Sequence, residues 1–367
     1  MTIFIISVLG LATLSYGIFA FIISRGLILK QRVPTNSSKP DVAVIIAARN
    51  EEKNLPGLLS DLADQDYPGR LDIYIADDRS SDSTWSILDA FAKKHAQFHP
   101  LRIHERSERM TPKKNALTQC MKQTTAEFIL STDADCRLGP GWVSSAIASF
   151  DEEVGILVGY SQVETTNLFS KYQALDFIAV MVANAGMMLQ GFVWSGSGQN
   201  LAYRRSAFTA IGGFNPVSHK ISGDDVYLVQ TIPRKTGLKA KFVTDKAHFV
   251  KTSAMNSIGE FINQRIRWSS NSKGLERSDP LFFGFLLSAF LTNILLLALF
   301  VSGVWAIGFW LLLGTKFLYE ATVLVLGARK FGYWSLLKWY PLWFVIQPVY
   351  ISYVGLMGLL GKFTWKP

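Results

Sequence analysis

Seven acidic side chains fall in short, spaced groups that suit phosphate and cation chemistry. They are Glu51, the pair Asp77-Asp78, the Asp133-Ala134-Asp135 triplet and the pair Asp224-Asp225. Carboxylates delivered together make a site of hard oxygen ligands, the kind that takes Mg²⁺ or Mn²⁺. Such an ion usually arrives with a substrate diphosphate, whose charge it neutralises. Lys113 and Lys114 are candidates to meet a phosphate as point charges. Gln264, Arg267 and Trp268 are spaced three and four apart, which puts all three on one face of a helix expected over Ile258 to Ser270. On that face the arginine suits a bidentate grip on a diphosphate and the tryptophan suits stacking on a sugar or a lipid headgroup. Each group also has a plain structural reading: short acidic triplets are common, adjacent aspartates favour turns, and an interfacial Trp and Arg anchor membrane helices. The five histidines are scattered without ligand spacing, and no Walker loop, GxGxxG or Ser-His-Asp ordering is present.

The elements around these residues give the grouping its meaning. Val42 to Ala48 is a continuous β-branched run suited to a buried parallel strand, and Leu55, Leu58, Leu59 and Leu62 then recur at helical spacing. Leu71, Ile73 and Ile75 alternate as a second strand, Leu101 to Ile103 makes a short third and Phe128 to Leu130 a fourth, with helical patterns between them. Alternating strands and helices predict an α/β domain with a mostly parallel sheet and right-handed crossovers. Ligands bind such sheets outside the carboxyl ends of the strands. Glu51 follows the first strand, Asp77-Asp78 the second and Asp133 to Asp135 the fourth, so three strands bring acid to one edge.

The ends of the chain are different. About half of the 367 residues are hydrophobic and mean hydropathy is +0.21, too apolar for an ordinary soluble enzyme, yet most of the charge falls between Arg25 and Asp279. Residues 3–24 carry no charge and are long enough to cross a bilayer. A cleaved signal peptide would show a basic start and a small-x-small cleavage site, and neither is convincing here. Leu281 to Val301 and Val304 to Leu326 are two further spans, with Ser302-Gly303 as the turn between them. Tyr340 to Leu360, interrupted by Pro341 and Pro348, either spans or lies partly in the interface. The predicted division is a transmembrane anchor over 1–24, a cytoplasmic domain over 25–279 and a membrane domain of two or three helices over 280–367. Arg25, Lys30, Arg32 and Lys39 place the central domain inside by the positive-inside rule, whereas Lys362 and Lys366 would end outside if the last stretch spans. Lys316 and Glu320, four apart inside a span, form either a polar contact near an acceptor path or a self-neutralised pair. The net charge of +9 gathers where the chain leaves the membrane and needs no nucleic acid to explain it.

Taken in order, AARNEE, IADDRSSDST, KKNAL, STDAD, GDDVYL and QRIRW resemble the motif series of a membrane-bound family 2 glycosyltransferase of the A-type fold, over about Val42 to Trp268. One departure is Gly223-Asp224-Asp225, where the family reads threonine, glutamate, aspartate; the final aspartate is kept. The resemblance implies inverting transfer from a nucleoside-diphosphate sugar to a membrane-associated acceptor, with a divalent cation on the departing diphosphate. It implies Glu51 and Asp78 as nucleoside contacts with Asp77 beside them, Asp135 as the direct metal ligand, and Asp133 on the ribose or the metal. Asp225, at the start of an apparent helix whose dipole favours its ionised form, is the expected base, with Asp224 beside it on the acceptor side. Gln264, Arg267 and Trp268 complete the Q-x-x-R-W set, and Gly196 to Asn200 with Arg204-Arg205 and Gly212 to Phe214 resembles the acceptor-side loop. With few spans to wall a polymer channel, a lipid acceptor is expected; a processive polysaccharide synthase is the alternative. From other classes, a transporter or a silent scaffold fits less well, given so large an aqueous part and intact Asp78, Asp135 and Asp225.

Overall fold

The computed structural model describes residues 2–31, 38–272 and 275–361. Arg32, Lys362 and Lys366, used above for topology, lie outside the described residues. Strands, in chain order, are β1 Val42–Ala48, β2 Leu71–Asp78, β3 Phe98–Ile103, β4 Phe128–Ser131, β5 Cys136–Leu138, β6 Val154–Gly159, β7 Ser161–Val163, β8 Leu201–Arg204, β9 Lys239–Val243 and β10 Val250–Thr252. The α-helices are α1 Thr2–Ile28, α2 Leu55–Ala63, α3 Thr84–Ala92, α4 Pro112–Gln123, α5 Trp142–Ser149, α6 Leu168–Met188, α7 Arg205–Ala210, α8 Asp224–Thr236, α9 Ile258–Ser270, α10 Leu275–Ser278, α11 Pro280–Val301, α12 Ile307–Phe331 and α13 Tyr340–Leu360.

These elements form two compact units that interleave along the chain. One holds the chain up to Leu29, Glu164–Gln190 and everything from Ala254 on; the other holds Lys30–Val163 and Gly191–Ser253. Linear division at 24/25 and 279/280 misses this interleaving, because α6 and α9 lie between those boundaries yet pack with the apolar helices. Apolar periodicity along the chain carries no sign that a helix will leave its sequence neighbours.

In the second unit a seven-stranded sheet runs β3-β2-β1-β4-β8-β6-β9, beside a three-stranded sheet β5-β10-β7. β1 is parallel to β2 and β4, and β2 to β3, as the alternating pattern predicts. β8 is the exception: it enters antiparallel to both β4 and β6. Central β1 is buried at nearly every position because helices cover both faces, so no polar alternation is needed. Leu55, Leu58, Leu59 and Leu62 of α2 join Val44, Ile46, Ile73 and Ile75 in the core, as their spacing predicts. β3 starts three residues earlier than expected and includes Pro100, which an edge strand tolerates. Register sets Ala48 opposite Asp77, so the β1 and β2 carboxyl ends sit level.

Among its described residues the first unit has four helices long and apolar enough to cross a membrane: Ile5–Ile28, Pro280–Val301, Ile307–Phe331 and Trp334–Leu360. α12 runs five residues past the expected end and carries Arg329 and Lys330 in its last turn, where the helix dipole favours cations. α13 is continuous through both prolines: Pro341 sits in its first turn and Pro348 inside it. The Lys316 ammonium lies 2.8 Å from Glu320 and also meets the Gln347 side chain, while the Tyr16 hydroxyl donates to Glu320 at 3.0 Å. Both charged residues are buried, and their charges cancel within one helix turn.

Candidate active site

At the carboxyl ends of β1 and β2 the backbone turns through left-handed positions that are not glycine, Asn50 with φ 54° and Arg79 with φ 59°. Such conformations cost free energy and persist where surrounding bonds fix them. Here the two turns hold each other: Asn50 N–H donates to Ser80 Oγ at 2.9 Å, Ser81 N–H to Asn50 Oδ1 at 2.9 Å, and Glu51 N–H to Thr84 Oγ1 at 2.8 Å. Asp77 and Asp78 stand beside this stitching, and their fates differ. Both Asp78 oxygens accept from Arg79, at 2.9 and 3.0 Å, with Arg49 at 4.0 Å. Asp77 is 1% exposed; its Oδ1 accepts from Ser80 N–H, and its Oδ2 has no partner among the described residues. A buried oxygen left open in this way is costly unless something else binds it.

Beyond β4 the Asp133-Ala134-Asp135 turn brings its acids close to Glu51. Burial first, and then the negative charges of Asp133 and Glu51, push the Asp135 carboxyl up to about 6. Asp135 accepts a long hydrogen bond from Thr252 Oγ1 at 3.4 Å, a contact across 117 positions of sequence that no local signal announces. Asp133 is answered by Lys113, whose ammonium lies 2.5 Å from Oδ1. Burial works to lower Lys113, but Asp133, Asp224 and Asp225 around it outweigh that and hold it above the ordinary lysine value.

Asp224 and Asp225 open α8. The residue before them, Gly223, has φ 87°, a left-handed N-terminal position that a β-branched residue occupies only with strain, which accounts for glycine where the resembling family carries threonine. Asp225 Oδ2 accepts from Gly198 N–H at 3.1 Å and Oδ1 from Val226 N–H at 2.8 Å. Even so, burial and the neighbouring charge of Asp224 push its carboxyl up to about 6, against the pull of Lys113 and the two N–H groups. A Cβ on Gly198 would come within 3.2 Å of the Lys113 ammonium, so the lysine end would have to give way by a few tenths of an ångström. Lys114 differs from its neighbour: it is buried, donates to Lys220 O at 2.5 Å, lies 3.9 Å from Asp224 and is lowered by burial. A small cavity lined by Lys113, Ser131, Thr132, Gly198, Asp224 and Asp225 joins these groups.

Nine predicted residues therefore belong to this unit: Glu51, Asp77, Asp78, Lys113, Lys114, Asp133, Asp135, Asp224 and Asp225. The residues fit a divalent cation by the chemistry of their donors: Asp135 is a hard oxygen ligand crowded by like charge, with Asp133 two residues away. Among the described residues no group of three or more His, Cys, Asp or Glu is placed to hold a metal ion.

Gln264, Arg267 and Trp268 sit on α9 in the other unit, on the helix span the sequence predicts. Ser257 caps it, accepting from Glu260 N–H at 3.2 Å. Between the motif positions lies Arg265, which the sequence reading passed over. It is buried and paired with Asp176 of α6 at 2.7 Å. A lone aspartate within an apolar helix is a detectable signal, since such a charge needs a partner.

Comparison with known proteins gives the family and the fold. The profile of glycosyl transferase family 2 matches residues 43–212, and that of glycosyl transferase family group 2 matches 128–359. A beta-monoglucosyldiacylglycerol synthase of Trichormus variabilis is 30% identical over 186 residues, covering 48% of this chain and 38% of the relative. A poly-beta-1,6-N-acetyl-D-glucosamine synthase of Staphylococcus epidermidis is 24% identical over 194 residues, 52% of this chain and 45% of the relative. The chain thus spans less than half the length of these two curated relatives. A mannosyltransferase of Pyrobaculum calidifontis, solved in complex with GDP-Man and Mn²⁺, has the same fold with a TM-score of 0.65 at 19% identity, covering 98% of this chain and 99% of that one. With a match extending over more than half of its length, the chain belongs to glycosyl transferase family group 2.

Proposed function

We propose that this protein is an inverting glycosyltransferase that moves a sugar from a nucleoside-diphosphate sugar, UDP- or GDP-linked, to a lipid acceptor at the membrane. The observation that carries the reading is the acid-rich cluster of Asp133, Asp135, Asp224 and Asp225 around the Lys113 ammonium, which lies 2.5 Å from Asp133, with Lys114 3.9 Å from Asp224. Asp77, with its open buried oxygen, and Glu51 are suited to the nucleoside, while Asp78 is already neutralised by Arg79. Asp135 and Asp133 would hold the divalent cation, which when bound offsets the charge of the departing diphosphate. Asp225 takes the proton of the acceptor hydroxyl as its oxygen displaces the diphosphate at the anomeric carbon in one step. Its acidity near 6 keeps it mostly ionised at neutral pH while leaving it basic enough to accept that proton. Gln264, Arg267 and Trp268 serve diphosphate and acceptor.

A lipid acceptor is supported by chain layout and by relatives. α9 ends at Ser270 and the candidate span α11 opens at Pro280 within the same unit. The Trichormus variabilis relative is named for a glucosyldiacylglycerol product, whereas the staphylococcal one is named for a polymer. Arg25 in the last turn of α1, Lys30 just beyond it, and Arg329 and Lys330 at the end of α12 favour a cytoplasmic catalytic unit in a multi-pass protein of the cell membrane. Purified protein incubated with labelled donor and lipid extract should give a solvent-extractable labelled product. A high-molecular-weight polysaccharide instead would overturn the lipid acceptor in favour of processive synthesis.

A further inference from the structure

Asp176 sits on α6 among buried apolar neighbours, Leu175, Phe177 and Ile178, and is 5% exposed. Its carboxylate gathers donors from two other helices of the same unit. Arg265 Nε of α9 donates at 2.7 Å and the Tyr350 hydroxyl of α13 at 3.2 Å, both to Oδ2, and Trp343 Nε1 of α13 donates to Oδ1 at 3.4 Å. Arg265, also buried, has its guanidinium over the rings of Trp268, at 4.2 Å, and Phe261, at 4.6 Å. Its Nη1 donates to Gln264 Oε1 at 2.6 Å. Two of the three motif side chains on α9 thus take their orientation from Arg265, and Arg265 takes its own from Asp176.

The chemical consequence is specific. A glutamine carboxamide offers an acceptor oxygen and a donor nitrogen. Arg265 consumes the oxygen of Gln264, which leaves Nε2 as the group to present, and a pure donor suits a phosphate oxygen. Trp268 packs against both the Arg265 guanidinium, at 4.2 Å, and the Phe177 ring, at 5.6 Å. We infer that Asp176 is a positioning residue for the Q-x-x-R-W face, acting through Arg265 to turn the Gln264 amide nitrogen outward and to fix the Trp268 ring. This rests on the reading that the face binds the diphosphate sugar.

The test uses the full chain in detergent, with the UDP- or GDP-sugar that wild type turns over. Replacing a buried ion pair by apolar residues of similar volume is often tolerated. Because Leu also takes away the acceptor of the Tyr350 hydroxyl and Trp343 Nε1, the double variant Asp176→Leu/Arg265→Met is expected to fold with a lowered melting temperature. It should raise donor KM about tenfold or more, the loss expected for a hydrogen bond to a charged group, with kcat far less affected. Gln264→Glu, which offers no donor at that position, should raise donor KM by at least as much. Wild-type KM in the double variant, or in Gln264→Glu should the double variant fail to fold, would overturn the positioning role. If wild type itself neither binds nor turns over a nucleotide sugar, the underlying reading falls and this inference with it.

Discussion

In the unit that holds the apolar helices, each buried ion pair is closed: Asp176 meets Arg265, and Lys316 meets Glu320, with tyrosine, tryptophan and glutamine taking further valences. In the unit built on the seven-stranded sheet, four carboxylates gather around Lys113, and two of them are held near pKa 6 by burial and by one another. Closed pairs hold helices together and have little left to offer a ligand. An acid-rich cluster short of positive charge is unfavourable on its own and becomes favourable when a cation and its phosphate arrive. The contrast separates charge that is satisfied within the protein from charge that is not, without reference to sequence motifs.

The largest expected effect comes from breaking the open cluster at its base. Asp225→Asn keeps the shape and removes the proton acceptor, so transfer should fall by about 10²- to 10⁴-fold while nucleotide affinity stays near wild type. Turnover close to wild type would make Asp225 a helix-end residue only. Breaking the Lys316–Glu320 pair should act on folding and not on chemistry: Lys316→Met strands a buried Glu320 and should cost about 3–5 kcal/mol, whereas Lys316→Met/Glu320→Gln should recover most of it. Equal stability in the two variants would show that the pair is not held as described.

A smaller effect sharpens the comparison through pH. The acid limb of kcat/KM reports the free enzyme, so activity should rise with pH through about 6 as Asp225 loses its proton. Asp224→Asn removes a neighbouring negative charge and should move that limb to lower pH; Lys113→Met removes the positive one and should move it higher. A limb that stays fixed in both variants would assign the titration to another group.

Much of this was legible in sequence, for reasons that differ by element. β1, α9 and α13 coincide with their predicted spans: β1 and α13 are apolar runs of strand and membrane-span length, and α9 is amphipathic. The acids at the strand ends were readable because strand order in a parallel sheet puts carboxyl ends on one edge. β8 was not readable: Leu201–Arg204 is four residues long and follows a glycine-rich loop, and its antiparallel entry depends on the gap between β4 and β6. The Asp176–Arg265 pair spans 89 positions, and Arg265 occupies a variable position inside the Q-x-x-R-W motif, so no local pattern marks it. The greater availability of Asp77 than Asp78 depends on where Arg79 folds back, which only coordinates reveal.

The central claim is that the open cluster is a cation-dependent nucleotide site, and calorimetric titration of UDP and GDP into the purified protein, with and without Mn²⁺, tests it most directly. One of the two nucleotides should bind with Mn²⁺ and far more weakly without it, and Asp135→Ala should remove the difference. Equal affinity with and without Mn²⁺ in wild type, or an undiminished Mn²⁺ effect in Asp135→Ala, would contradict the account.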